Sequence, residues 1–380
     1  MQVGIDISSL IYDRGVSRYT YNLVRALIAS DAINVNLYGT SWRQHAELKA
    51  RASSLIDHGH SLKHRQLIQS WPPKLHTLAW QWGLNPVLKA MPQIDVFHSW
   101  DWSQPPDKNL PLVSTIHDLA ILKFSDTAHP EILAAHERSW KILKDRQAKI
   151  IAVSQATKRD IIELLQIPPY NITVIPEALP REIVDVDLLM TESQALTIQQ
   201  QLTLDRPYIL FVGTREPRKN LHKLIEAWQP LAGDIDLIIA GAAGWDGTKQ
   251  QESNPRLRFL GKVTDQQLAV LYREAEAFVY PSNYEGFGLP ILEAFHYGTP
   301  VVAAKVSALE EVGGNACEYA DPLQPEAIRA SIIKILSEDL DDQRKRLQRM
   351  QIRRQMFSWD SVAKSTIAVY TQAYQASQTI

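Results

Sequence analysis

Short runs of β-branched and apolar residues alternate along the chain with longer stretches of helical periodicity. In the first half the apolar runs cover residues 3–7, 35–38, 96–98, 113–117, 150–153 and 173–175, with helical patterns over 17–30 and 155–165. The pattern weakens from 177 to 206 and resumes with the run YILFVG at Tyr208. The second series reads strand 208–212, helix 221–231, strands 237–240 and 278–280, helix 289–297 and strand 301–304. Runs of this length alternating with helices predict βαβ units on parallel sheets, so the expected fold class is α/β with two doubly wound, Rossmann-like domains. Two such domains are expected to leave an interdomain cleft at the carboxyl ends of their strands, where open α/β sheets bind ligands. The boundaries placed on this pattern are 1–185 for the first domain, 186–206 for a linker, 207–356 for the second domain and 357–380 for a final helical segment. A chain of 380 residues exceeds the size at which one core stops growing, which also argues for two domains.

Composition narrows the function classes. A formal net charge of −2 gives no reason to expect a nucleic-acid partner. Cys317 is the only cysteine, so neither an internal disulfide nor a thiolate zinc cluster can form, and a reducing, cytoplasmic setting is expected. The opening MQVGIDI lacks the pattern of a secretory signal, and no window approaches the ~20 apolar residues of a spanning helix. Any membrane contact is therefore expected to be peripheral.

The chemistry concentrates in loops after strands. In EGFGLPILE, residues 285–293, Pro290 marks the first turn of a helix, and Gly286 and Gly288 allow close approach of backbone amides near Gly288 and Leu289 to a ligand. A helix start offers unsatisfied donors and partial positive charge, which suits a diphosphate. Glu285 before it can accept from sugar hydroxyls, and Glu293 inside it from ribose hydroxyls; the plainer alternative is two surface glutamates around a turn. FVGTREPRKNL, residues 211–221, follows another strand and brings Arg215, Arg218 and Lys219, cations that can offset the charge of a leaving diphosphate. The turn after the first strand, SSLIYDRGVSRYTYNL, has Gly15 as its single glycine and lacks G-x-G-x-x-G, which argues against a dinucleotide oxidoreductase. His117 and Asp118 end one strand of the first half and His98 another, where His98 can help form an acceptor pocket or be structural. Trp100 and Trp102 can stack on a sugar or pack.

These segments resemble the Glu-x7-Glu motif and the G-T-x-E-P-R-K-N variant of retaining GT-B glycosyltransferases, the group 1 or family four enzymes, with a mannosyltransferase-like pattern. The resemblance spans nearly the whole chain, strongest over 211–304 and weakest over 40–92. It implies that Glu285 contacts the donor sugar, that Glu293 contacts ribose, and that the stretch ending at Val263 touches the base. It implies that His117 supports the donor sugar and that the loop with Gly15 and Arg18 holds the acceptor near the donor phosphates. It also implies that the final segment from Phe357 crosses back onto the first domain. The chain departs from the pattern at Thr214, where many relatives carry arginine, so Arg215 is a candidate for that role beside Arg218 and Lys219. In the first loop Arg14 and Ser17 stand where relatives have glycines.

The implied reaction transfers a hexose, with mannose from GDP-mannose as the first choice, to a saccharide or lipid-linked acceptor, with no cofactor and no metal. The alternatives are a UDP-hexose donor, an epimerase on the same fold, or a nucleotide-sugar-binding subunit without turnover. An Asp-x-Asp match at Asp185 and Asp187 is read as structural. Between Arg43 and Pro92 the chain carries seven Lys or Arg against two acidic residues, with Trp71, Trp80 and Trp82. That stretch is either an exposed acceptor-domain face or a peripheral surface for the inner membrane face.

Overall fold

The computed structural model describes residues 1–12, 15–57, 63–127, 129–244 and 254–378; Arg14 lies outside them. It divides into two compact units, 1–177 with 358–380, and 178–357. The first unit holds seven strands: β1 (Gln2–Asp6), β2 (Asn34–Thr40), β3 (Arg65–Gln69), β4 (Val96–Trp100), β5 (Leu112–Ile116), β6 (Lys149–Ala152) and β7 (Ile172–Val174). Their order is β3-β2-β1-β4-β5-β6-β7, and every pairing is parallel. Every residue of β4 and β5 is buried, as expected of strands covered by helices on both faces. The order reverses between β1 and β4, so the loops following those strands diverge and leave room for a ligand at their carboxyl ends.

The second unit holds β8 (Tyr208–Val212), β9 (Asp236–Ala240), β10 (Leu257–Gly261), β11 (Ala277–Tyr280), β12 (Val301–Ala304) and β13 (Glu318–Ala320). They run parallel in the order β10-β9-β8-β11-β12-β13, with the reversal between β8 and β11. One core cluster packs Phe211, Trp228, Ile239 and Val279 beneath this sheet. The loops at the reversal are the two that carry PRKN and EGFG.

Three strands escape the sequence pattern. β3, β10 and β13 lie at sheet edges or next to them, where partial exposure mixes polar residues into the run. The boundary between units falls at 177/178 rather than 185/186. Residues 186–206 are not an extended linker: they include the end of helix Arg181–Leu189 and the whole of Glu192–Gln201, and they belong to the second unit. Their weak pattern reflects thin burial, with Ile198 and Leu204 the buried apolar anchors. The helix Trp359–Gln378 groups with the first unit, where the Tyr370 hydroxyl meets His98 Nδ1 at 2.7 Å and Trp359 packs on Tyr19 at 5.7 Å.

Candidate functional site

The second unit places Arg218, Lys219 and Glu285 in one cluster at the strand-order reversal. β8 leads into the short turn Pro217–Lys219, and Asn220 closes it in a left-handed conformation, φ 59°. The Asn220 amide donates to the carbonyls of Pro281 (3.1 Å) and Pro322 (2.7 Å), tying the loop after β8 to the loop after β11. Asn283 N donates to the Arg218 carbonyl at 2.8 Å, a second tie between the same loops. With the loops so fixed, Lys219 Nζ lies 2.6 Å from one oxygen of Glu285, and Arg218 lies 3.0 Å from the other. Lys219 Nζ also donates to the Tyr280 hydroxyl at 2.8 Å, and Arg218 Nε to Glu216 at 2.9 Å.

Lys219 and Glu285 are both 8% exposed. Burial by itself would push the Glu285 carboxyl up; the charges of Lys219 and Arg218 outweigh it and hold the pKa at about 2. Burial lowers the Lys219 pKa, with Glu285 opposing the fall. With Glu216 on Arg218, the cluster holds two cations and two carboxylates, so Glu285 is the counter-ion of Lys219 and Arg218 as well as a candidate sugar contact.

Gly288 follows in the left-handed region at φ 111° and caps helix Leu289–Tyr297, with Pro290 in the first turn. A Cβ on Gly288 would lie 2.6 Å from Leu309 Cδ2. Gly288→Ala is expected to cost about 1–2 kcal/mol, measured by urea denaturation, because a side chain is strained at this φ and Leu309 must move. Glu293, one turn into the helix, is buried and accepts from the Tyr272 hydroxyl at 3.0 Å. Leu289 is half-buried at the helix start.

Arg215 lies earlier in the loop after β8. Its guanidinium sits 5.1 Å over the Phe259 ring, and its amide donates to the Ala242 carbonyl at 3.3 Å, so it lines the row after β9 and β10. That row is backbone-tight: Gly213 N donates to Ala240 and Gly241 N to Gly261, and a Cβ on Gly241 would lie 2.1 Å from the Gly213 carbonyl oxygen. Val263 lies at its far end, half-buried before helix Asp265–Glu274. Asp185 and Asp187 are engaged in ion pairs, Asp185 with Arg181 and Asp187 with Arg273 and His296.

In the first unit His117 stands directly after β5. Its Nδ1 lies 2.8 Å from Glu177 Oε1, while Nε2 is buried with no hydrogen-bond partner among the described residues. A carboxylate accepts, so Nδ1 carries hydrogen and the unsatisfied Nε2 is the atom left for a ligand. The Tyr19 ring meets the imidazole edge-on at 4.7 Å, and Trp100 stacks on it at 6.2 Å. Burial alone would lower the His117 pKa; the hydrogen bond and charge of Glu177, aided by Asp101 and Asp118, raise it above the ordinary value. Asp118 Oδ1 accepts from Ala120 N at 2.9 Å and so also shapes the turn after β5.

His98 has both nitrogens committed, Nδ1 to Tyr370 (2.7 Å) and Nε2 to Thr115 (2.9 Å), and no exposed surface. Burial, then the nearby His117, lowers its pKa to about 3. It ties β4 and β5 to the final helix, which leaves no ring nitrogen for an acceptor. Gly15 opens helix Gly15–Ala29 at an exposed position where a Cβ meets nothing within 4 Å, so no packing demands glycine there. Arg18 is half-buried on the same helix.

Glu177, Tyr280, Tyr272 and Asn220 are the site residues that sequence reasoning misses. Each except Tyr272 sits at a strand end or in the loop beyond it, and that position was the available signal.

Two doubly wound parallel units with these loops at their strand ends define a GT-B glycosyltransferase fold. A glycosyltransferase from Rickettsia africae ESF-5 superposes with a TM-score of 0.71 at 15% identity, over 98% of both chains. Anabaena HepE in complex with UDP and glucose gives 0.68 at 18% identity, over 98% of this chain and 100% of the other. The Escherichia coli O-antigen chain mannosyltransferase B is 34% identical over 269 residues, 68% of this chain and 69% of that one. Residues 14–183 match the model of Glycosyltransferase Family 4, and residues 194–354 match that of Glycosyl transferases group 1. The chain belongs to the group 1 glycosyltransferases and is a transferase enzyme.

Proposed function

We propose that the enzyme moves mannose from GDP-mannose to a saccharide or lipid-linked acceptor with retention of anomeric configuration. The observation that carries the choice of mannose is the 34% identity to a mannosyltransferase over 69% of that relative's length. The diphosphate is assigned to Arg218, Lys219 and the helix start at Gly288 and Leu289; Glu285 and His117 serve the donor sugar, Glu293 the ribose and Val263 the base. Gly15 and Arg18 are assigned to the acceptor loop near the donor phosphates, with Asp118 and Arg215 as supporting groups.

The acceptor hydroxyl attacks the anomeric carbon from the leaving-group face through an oxocarbenium-like state. The bond from that carbon to the phosphate oxygen breaks, the new glycosidic bond forms, and the hydroxyl proton passes to the departing phosphate oxygen. The fixed cations meet the charge that develops on the diphosphate, an electrostatic contribution already in place before reaction.

GDP-mannose is expected to raise the melting temperature and to be turned over undiminished in EDTA, giving an α-configured product by NMR. Stabilisation by UDP-glucose and not GDP-mannose would move the assignment to a UDP-hexose, the donor class suggested by the UDP and glucose in the HepE complex. Loss of turnover in EDTA would overturn metal independence.

The same reading includes a peripheral membrane face. Among the described residues no helix is long and apolar enough to cross a membrane. Trp42, Trp71, Leu75, Leu78, Trp82 and Leu84 are all exposed, Trp82 at 75%, within a stretch rich in Lys and Arg. Leu75, Leu78 and Trp82 share one side of helix Pro73–Gln81 and its end, and Ser41 N bonds the Gln69 carbonyl, bringing the starts of the Trp42 and Trp71 loops together. Sedimentation with phosphatidylglycerol vesicles is expected to show binding that weakens in high salt and drops severalfold in Leu78→Ser with Trp82→Ser. No binding to these vesicles removes this face from the proposal.

A further inference from the structure

We propose that a cavity within the first unit, walled by Trp102, holds sugar residues of an extended saccharide acceptor. This rests on the saccharide-acceptor reading above and adds a subsite remote from the reacting atoms. The cavity measures about 440 Å³ and lies between helices Pro73–Gln81 and Pro130–Asp145 and the segment after β4. Its size falls in the range of small-molecule sites.

The lining fits a pyranose. Trp102 and Pro105 give an apolar wall, while Gln81, Arg138 and Asp145 add planar polar groups from the two helices. A sugar ring carries C–H faces and a rim of hydroxyls that both donate and accept, so it needs an aromatic surface together with mixed donors and acceptors. The lining carries Lys108, Arg138 and Arg146 beside Asp145, which pairs with Lys141 at 3.1 Å, while the Arg146 guanidinium is spent on the carbonyls of Pro105, Asp107 and Leu110, so the cavity suits neutral or acidic sugar residues.

The floor is fixed in advance. The Gln104 amide donates to Ser139 Oγ (2.9 Å) and to the Trp100 carbonyl (2.8 Å), and its oxygen accepts from Ser99. The cavity lies close to His117 within the same unit. Trp102 stacks on Trp100 at 6.0 Å and 19°, and Trp100 stacks on His117 at 6.2 Å and 26°. A row of rings thus separates the cavity from His117. A short acceptor has no residue to place there, whereas a longer one does.

The test compares α-linked mannose disaccharide and tetrasaccharide as acceptors for the whole protein. Trp102→Ala and, independently, Ala135→Trp, which fills the cavity, are expected to raise the tetrasaccharide KM about tenfold and to leave the disaccharide KM within about twofold. Trp102→Phe should restore the tetrasaccharide value. Equal shifts for both lengths, or none, overturn the proposal. Calorimetric titration of the tetrasaccharide without donor reads the cavity separately from turnover, with binding expected about tenfold weaker in both variants. Unchanged binding in the variants overturns the subsite even if transfer proceeds. Failure of the parent protein to transfer mannose, with binding still lost in the variants, would instead overturn the donor assignment and leave the subsite standing. Binding of inorganic phosphate that Arg138→Ala abolishes, with no tetrasaccharide binding, would make the cavity an anion site.

Discussion

Replacing Glu285 with glutamine should leave the protein about 3 kcal/mol less stable and lower glycosyl transfer by about 10²- to 10³-fold. The stability loss follows from geometry. Lys219 is 8% exposed, with Glu285 2.6 Å away, and a neutral amide there leaves a buried ammonium without its counter-ion. Removing one partner of a buried pair is costly for this reason, whereas removing both is far less so. Glu285→Gln combined with Lys219→Met should therefore recover most of the stability while transfer stays low. Urea denaturation and initial rates measure the two effects. A single variant as stable as the parent would sink the account.

The pH dependence has a definite sign. The Glu285 carboxyl is held at about 2 in the folded protein, below its ordinary value of 4.5. A depressed carboxyl stabilises the fold fully above its unfolded pKa, and that stability is lost as pH falls towards the folded value. The parent should lose about 3 kcal/mol from this group between roughly pH 4.5 and pH 2, and Glu285→Gln should show a flatter acid limb.

His117→Ala should reduce transfer about 10²-fold, and Glu177→Gln by about tenfold, the latter by loosening the imidazole that the former removes. Glu177 fixes the tautomer through the 2.8 Å contact to Nδ1 and leads the influences that raise the His117 pKa against burial. With glutamine in its place, burial dominates and the imidazole pKa should fall below its ordinary value, which an NMR titration of the histidine ring follows directly. A raised histidine pKa contributes stability that is present below the unfolded pKa and disappears as pH rises through the folded one. The parent should show that loss and Glu177→Gln should not. An imidazole titration unchanged by Glu177→Gln would refute the positioning role.

Much of this was legible in residue order. The alternating runs specify two parallel doubly wound units because strands buried on both faces must be apolar throughout, as β4 and β5 are. Gly288 and Pro290 mark a helix start because each has a backbone preference suited to that place. The edge strand β3 was not legible, since its half-exposed residues mix polar with apolar.

By itself the sequence determined the fold class and the strand-end loops with Lys219, Glu285 and Glu293 as candidates, because these depend on local periodicity and spacing, while His117 entered as a candidate through the family resemblance. Only the tertiary structure decided how those residues meet. The strand-order reversal joins two loops 66 positions apart, so that Glu285 neutralises part of the charge of Arg218 and Lys219. β5 and β7 bring Glu177 to His117 across 60 positions, and the final helix takes up Nδ1 of His98, which decides between its two readings in favour of the structural one. Pairing at such separations is set by the order of strands in each sheet and by where the final helix packs, and no local pattern of residues encodes either.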